Sequence, residues 1–306
     1  MSAPLLRGPV LRLTRAGWFR GLATGRLGRL VASRFVAGET LDAAIETARA
    51  MKLAGRATIL DHLGENVTEP DHAAEAAADY VRALDRIEKE ADLDVSISVK
   101  LTQLGLDFST ELTEANLERV LEAARGRVVM IDMESSAYVD RTLQVYRSLR
   151  SRTDRVGLCL QSYLRRTARD VETLPDPSVV RLVKGAYLEP PEVAFEDRRG
   201  VDRSFARLTV TLLARGHTLH LATHDPRLLD GALALVERWQ VPLDRIDLQF
   251  LHGVRRDLQS RYAERGLPVT VYVPYGTEWY PYLTRRLAER PANMWFFLSN
   301  LLRVRR

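Results

Sequence analysis

The chain has 306 residues, 46% hydrophobic and 28% charged, which fits one α/β barrel of roughly 250 residues plus an arm better than two ordinary domains. It has no run near the roughly 20 apolar residues needed to span a bilayer and no opening signal-peptide pattern, and its one cysteine, Cys159, excludes an intramolecular disulfide. The net charge of +5 lies at one end: residues 1–38 carry seven arginines (Arg7, Arg12, Arg15, Arg20, Arg26, Arg29, Arg34) and no acid, so the remainder is slightly acidic.

Zinc-finger spacing and aromatic RNA-binding signatures are lacking, so no nucleic-acid partner is expected. The arm mixes apolar and basic residues. It reads either as a helical flap on the main domain or as a contact with anionic lipid. Together with the cysteine usage this predicts a cytoplasmic protein, peripheral on the inner face of the cell membrane if the arm touches lipid. Residues 39–55 follow as one amphipathic helix stopped by Gly55. The expected organisation is an arm over 1–55 and a catalytic domain over 56–306.

From there short apolar runs alternate with helical patterns. The predicted strands are Ala57–Leu63, Val95–Leu101, Val128–Met133, Gly157–Gln161, Val179–Lys184, Thr218–Thr223, Ile246–Leu251 and Val269–Val273. They are nearly continuous in apolar residues, as parallel strands buried on both faces should be. Helical patterns fall at Asp71–Ala91, Thr113–Ala124, Val139–Arg150, Ser204–Arg215, Arg227–Trp239 and Arg255–Arg265. Eight β-then-α units predict a (β/α)8 TIM-type barrel rather than an open sheet.

In such a barrel the chemistry sits at the C-terminal ends of the strands. In chain order those ends carry Asp61, His62 and Glu65; Lys100 and Gln103; Asp132, Glu134 and Ser135; Gln161; Lys184 and Tyr187; Thr223, His224 and Asp225; His252; and Tyr272 and Tyr275. Polar groups are costly to bury unless used or paired, so this rim is the candidate site. Duller readings stand beside it. Lys100 and Asp132 can form a structural ion pair, His224 can help cap the next helix, and His252 can be a loop histidine. Asp132, Glu134, His224 and His252 lack short ligand spacing, so no metal is expected.

After the last strand, PYLTRRLAERPAN reads as a final helix stopped by Pro291 and placed over the barrel mouth. Its Arg285–Arg286 doublet can fork onto a carboxylate or phosphate, or the two can be solvated with Glu289 nearby. Lys100 and Lys184 near strand ends equally suit a Schiff-base lyase, and a basic adaptor with an inactive barrel is a third reading. No phosphate-binding glycine motif follows a strand, so any nucleotide cofactor is held without a Rossmann turn.

RLVKGAY (181–187), LATHD (221–225), LQFLHGV (248–254) and YVPYGTEWYPYLTRRLAERPAN (272–293) together resemble the proline dehydrogenase family. LDHLGE (60–65), SVKLTQLG (98–105) and IDMESS (131–136) fall in matching order, and the resemblance covers residues 39–300 in the short monofunctional form. It implies a distorted (β/α)8 barrel with FAD at the strand ends. The implied reaction oxidises L-proline to Δ1-pyrroline-5-carboxylate, with hydride passing from proline C5 to flavin N5 and electrons then going to a membrane quinone. Carried over by motif, Arg285 and Arg286 clamp the proline carboxylate beside Lys100. Asp132, Tyr187, Leu251 and Tyr272 shape the pocket. Arg181 lies near the flavin N1–N5 edge, and Gln161, Lys184, Gly185, Ala186, Thr223, His224 and Glu289, with Asp132, belong to the flavin-binding set. Glu65 pairs with Arg285 as a lid. His62 departs from the family pattern, which carries an apolar residue there.

Overall fold

A computed structural model describes residues 32–90 and 92–289, with side chains through residue 284. Most of the basic arm therefore lies outside the described residues. The strands are β1 (Ala57–His62), β2 (Val95–Val99), β3 (Val129–Ile131), β4 (Val156–Gln161), β5 (Val179–Val183), β6 (Thr218–Ala222), β7 (Ile246–Leu251) and β8 (Val269–Tyr275). All pair in parallel with their sequence neighbours, and β1 closes on β8 from Ala57↔Thr270 to His62↔Tyr275. This is the predicted (β/α)8 barrel. Each predicted run overlaps a strand; β4 starts one residue early and β8 runs on to Tyr275, while β2 and β3 stop short of the predicted Leu101 and Met133.

The helices are α1 (Leu41–Leu53), α2 (Pro70–Glu88), α3 (Thr110–Ala123), α4 (Val139–Arg150), α5 (Thr167–Glu172), α6 (Arg198–Ala214), α7 (Pro226–Arg238), α8 (Arg256–Ala263) and α9 (Trp279–Glu289). Short polar side chains start several of them by accepting otherwise orphaned backbone N–H groups. Ser109 accepts from Leu112 N at 3.0 Å and Asp197 from Gly200 N at 2.7 Å. The Asp197 cap starts α6 six residues before the predicted Ser204. The one-turn α5 was not predicted, being too short for a periodic signal.

The wall between β8 and β1 is covered by α1, which buries Ala44, Ile45 and Ala48 there. That seam is therefore unavailable to α9, the helix that follows β8. Instead α9 buries Trp279, Tyr282 and Leu283, at i, i+3 and i+4. Trp279 Nε1 donates to Glu39 at 3.3 Å, and Tyr282 reaches the cavity at the barrel mouth. The expected final helix over the mouth is thus present. Residues 32–38 also dock on this end: Phe35 and Val36 are buried and Ala37 N donates to Pro274 O at 2.9 Å.

Candidate active site

A cavity of about 780 Å³ opens at the C-terminal ends of the strands, within the size range of ligand pockets. A chain of buried charge forms its floor. Lys100 and Ser98 share the inward face of β2 and the turn after it, Arg181 points inward from β5, and Asp132 stands just past β3. Lys100 Nζ lies 2.6 Å from Asp61 Oδ1 and 3.4 Å from Asp132 Oδ2. The second Asp132 oxygen accepts from Arg181 Nη1 at 2.6 Å and from Ser98 Oγ at 2.6 Å. Tyr272 OH donates to Asp132 Oδ2 at 2.7 Å, and the Arg181 guanidinium lies over the Tyr272 ring at 5.3 Å.

Two carboxylates and two cations thus balance at the buried floor of the barrel mouth, where each charge is tolerated because its partners are fixed. Burial alone would depress Lys100, but the charges of Asp61 and Asp132 outweigh it and hold the ammonium well above its ordinary range. Burial likewise opposes ionisation of Asp132, and the Lys100 and Arg181 charges reverse the direction and hold its carboxyl low. A Schiff-base lysine needs the opposite shift, toward a neutral amine. Lys100 is therefore poorly suited as a nucleophile.

A second cluster edges the cavity. Lys184 Nζ meets Asp202 at 2.6 Å and Asp225 at 3.4 Å, while Arg198 and Arg227 reach Asp225 at 2.9 and 3.1 Å. Burial pushes Asp225 up, yet hydrogen bonds from Arg227 and Arg198 and the Lys184 charge carry it below the usual carboxylate range. Asp225, not His224, caps α7 by accepting from Arg227 N at 3.2 Å. His224 Nε2 instead accepts from Leu251 N at 3.1 Å, tying β6 to the end of β7.

Gly185 takes φ +121, and a Cβ there would come 2.1 Å from the Tyr163 ring, so only glycine fits this turn. Gln161 Nε2 donates to Glu134 O at 2.8 Å and Thr223 Oγ1 accepts from Asp225 N at 3.3 Å. Lys100, Asp132, Gln161, Arg181 and Lys184 line the cavity. So do Gly185, Ala186, Tyr187, Thr223, His224, Leu251 and Tyr272. The backbone of Arg285, Arg286 and Glu289 lies on α9, and their side chains are outside the described residues. No group of His, Cys, Asp or Glu side chains placed to hold a metal occurs among the described residues. His252 sits in the turn after β7, held by burial down to about 4. His62 packs between Tyr275, stacked at 5.2 Å, and Tyr80, edge-on at 6.0 Å.

Asp61, already among the strand-end residues of the predicted rim, belongs to this constellation, and so do Ser98, Gln249 and Arg198, which the sequence reading did not single out. For Ser98 and Gln249 a signal existed: each lies two residues before an assigned position (Lys100, Leu251), on the same strand face. Arg198 follows a loop and has no such periodic signal.

Residues 44–298 match the sequence model of the family described as proline dehydrogenase. Proline dehydrogenase 1 of Bacillus subtilis subsp. natto is 38% identical over 279 residues, covering 90% of this chain and 92% of that protein. Proline dehydrogenase of Deinococcus radiodurans is 36% identical over 312 residues, covering 99% and 100%. In fold, the chain is similar to proline utilization A of Bdellovibrio bacteriovorus, solved after inactivation by N-propargylglycine, with TM-score 0.79 at 24% identity. That match covers 84% of this chain but 32% of the longer protein. No helix among the described residues is long and apolar enough to cross a membrane. The barrel, the motif order and the extent of these matches show that the chain belongs to the proline dehydrogenase family.

Proposed function

We propose that this chain is an FAD-dependent enzyme that oxidises L-proline to Δ1-pyrroline-5-carboxylate and passes the electrons to a membrane quinone. The observation that carries the reading is the charge-balanced floor of the cavity, in which Arg181 Nη2 is buried and meets no partner among the described residues. A donor so placed suits an electron-rich ring edge lying over the floor. The remaining cavity walls suit the same group: a glycine turn at Gly185, the Thr223 hydroxyl, the Gln161 amide and cationic Lys184 at the edge. FAD bound there supplies the hydride acceptor for the proline C5–H bond.

The chain's own residues then divide the work. Arg285 and Arg286 hold the proline carboxylate as a forked pair, with Glu65 closing over Arg285. Lys100 adds positive charge beneath it, kept in place by Asp61 and Asp132. Tyr187, Leu251 and Tyr272 enclose the pyrrolidine ring and exclude water. Asp132 fixes Lys100, Arg181 and Tyr272 together. Gln161, Lys184, Gly185, Ala186, Thr223, His224 and Glu289 hold the cofactor. The amine must be neutral before C5 gives up hydride, and no strong general base is required if its proton has already passed to solvent. The domain division at residue 55 and contact of the basic arm with anionic lipid near the quinone belong to the same proposal.

The purified chain is expected to be yellow, with flavin absorbance bleached by L-proline under anaerobic conditions. A colourless folded protein, or a spectrum unmoved by proline, overturns the reading. Borohydride trapping with a keto-substrate would instead favour a lysine lyase.

A further inference from the structure

We infer that Gln249, on the inward face of β7, is the positioning residue that aims Arg181, and through it sets how strongly the reduced cofactor is stabilised. The inference rests on the flavin reading above. Gln249 is 3% exposed, and its amide is held at both ends. Its Oε1 accepts from Arg181 Nε at 2.7 Å. Its Nε2 donates to Asp247 Oδ2 at 2.7 Å and lies 2.9 Å from His220 Nδ1.

The chemistry of these neighbours fixes which way the amide points. A guanidinium only donates and a carboxylate only accepts. Flipping Gln249 would set NH2 against Arg181 and a carbonyl against Asp247, two repulsions in place of two bonds. The second Nε2 hydrogen faces His220 Nδ1, which accepts if that imidazole is neutral; burial lowers the His220 pKa and favours that form. Asp247 is itself anchored, accepting from Thr270 Oγ1 at 2.9 Å. Gln249 is thus a one-way link between a rigid rear wall and the guanidinium.

Arg181 is therefore gripped on two edges. Gln249 holds Nε, while Asp132 and Ser98 hold Nη1 at 2.6 and 3.0 Å. The plane of the guanidinium is set by these contacts, and the unpaired Nη2 is the one donor left for a ligand. Asp132 alone leaves the group free to rotate about its Nη1 bonds, so orientation requires the Gln249 contact. Asp132 also binds Lys100 and Tyr272, whereas the side-chain hydrogen bonds of Gln249 go to Arg181, Asp247 and His220, so its removal leaves the Lys100 and Tyr272 contacts of Asp132 in place.

The test uses the purified holoenzyme and measures the midpoint potential of the bound flavin with kcat and KM for proline. Gln249→Met removes both bonds at similar volume. It is expected to shift the potential negative and lower kcat about tenfold or more, with KM for proline changed much less, because the carboxylate clamp lies elsewhere. Gln249→Ala removes the same contacts without adding a charge beside Asp247 and leaves room for water to reach that carboxylate. It is expected to retain KM and also shift the potential negative, so the inference stays testable if Gln249→Met misfolds. Folded variants with wild-type potential and kcat, losing only thermal stability, overturn the inference alone. A colourless wild-type protein overturns the flavin reading and this inference together.

Discussion

Lys100 and Asp61, from neighbouring strands, meet at 2.6 Å inside the barrel, closer than the 3.4 Å between Lys100 and Asp132. Asp61 is 1% exposed, and its second oxygen has no hydrogen-bond partner among the described residues. Burial is the main influence on its carboxyl and pushes it up, against the opposing pull of Lys100. The pair therefore keeps Lys100 charged and fixed at some cost to Asp61.

Breaking that pair from one side leaves a buried charge uncompensated. Asp61→Asn is expected to cost about 3–5 kcal/mol in urea unfolding. The double variant Asp61→Leu with Lys100→Met should cost less than the sum of the singles. Additive losses would mean that the two side chains do not act as a pair.

Arg286→Ala should weaken proline binding by roughly 2–5 kcal/mol, which is about 30-fold or more in kcat/KM. Steady-state kinetics with L-proline check this. An unchanged KM contradicts the carboxylate clamp.

Glu134 supplies a pH dependence of stability. It is buried, accepts from Thr102 N at 3.1 Å and from Thr102 Oγ1 at 2.6 Å, and burial raises it from 4.5 to about 7. The folded chain therefore holds this proton between those two values while the unfolded chain has released it. Stability from this group is full below pH 4.5 and declines as pH rises toward 7, by about 3 kcal/mol at most. Glu134→Gln should remove that part of the slope, since Thr102 can still bond the amide. Thermal melts of both proteins across pH 5–8 should converge at the acid end and diverge at the alkaline end; parallel curves would refute the assignment.

Gly253 has φ +73, and a Cβ there would lie 1.8 Å from Arg34 O, whereas Gly266, with φ +74, has nothing within 4 Å. Gly266→Ala should cost only the left-handed backbone penalty of about 1–2 kcal/mol. Gly253→Ala should cost more and loosen residues 32–38 from the barrel end. Chymotryptic cleavage after Phe35 is expected to accelerate in Gly253→Ala alone. Equal behaviour of the two variants would show that the arm contact is not tight.

The barrel was legible because its strands are buried on both faces and so read as apolar runs, from Ala57 to Val273, separated by amphipathic helices. Much of the candidate site was legible for a related reason: strand ends with Lys100, Asp132, Lys184 and Tyr272 break those runs abruptly. Pairing was not legible. That Lys100 takes Asp61 first, that His224 binds Leu251 N and that Gln249 grips Arg181 all depend on strand stagger around a closed sheet, which local patterns do not encode, whereas the Asp225 cap on Arg227 N is a local Asp-Pro helix start. The final helix over the mouth was expected from the sequence, but the reason it lies there is tertiary: α1 covers the β8–β1 seam. Local burial periodicity is written residue by residue in the chain. Which charge answers which is decided only when closure brings distant strands within hydrogen-bonding distance.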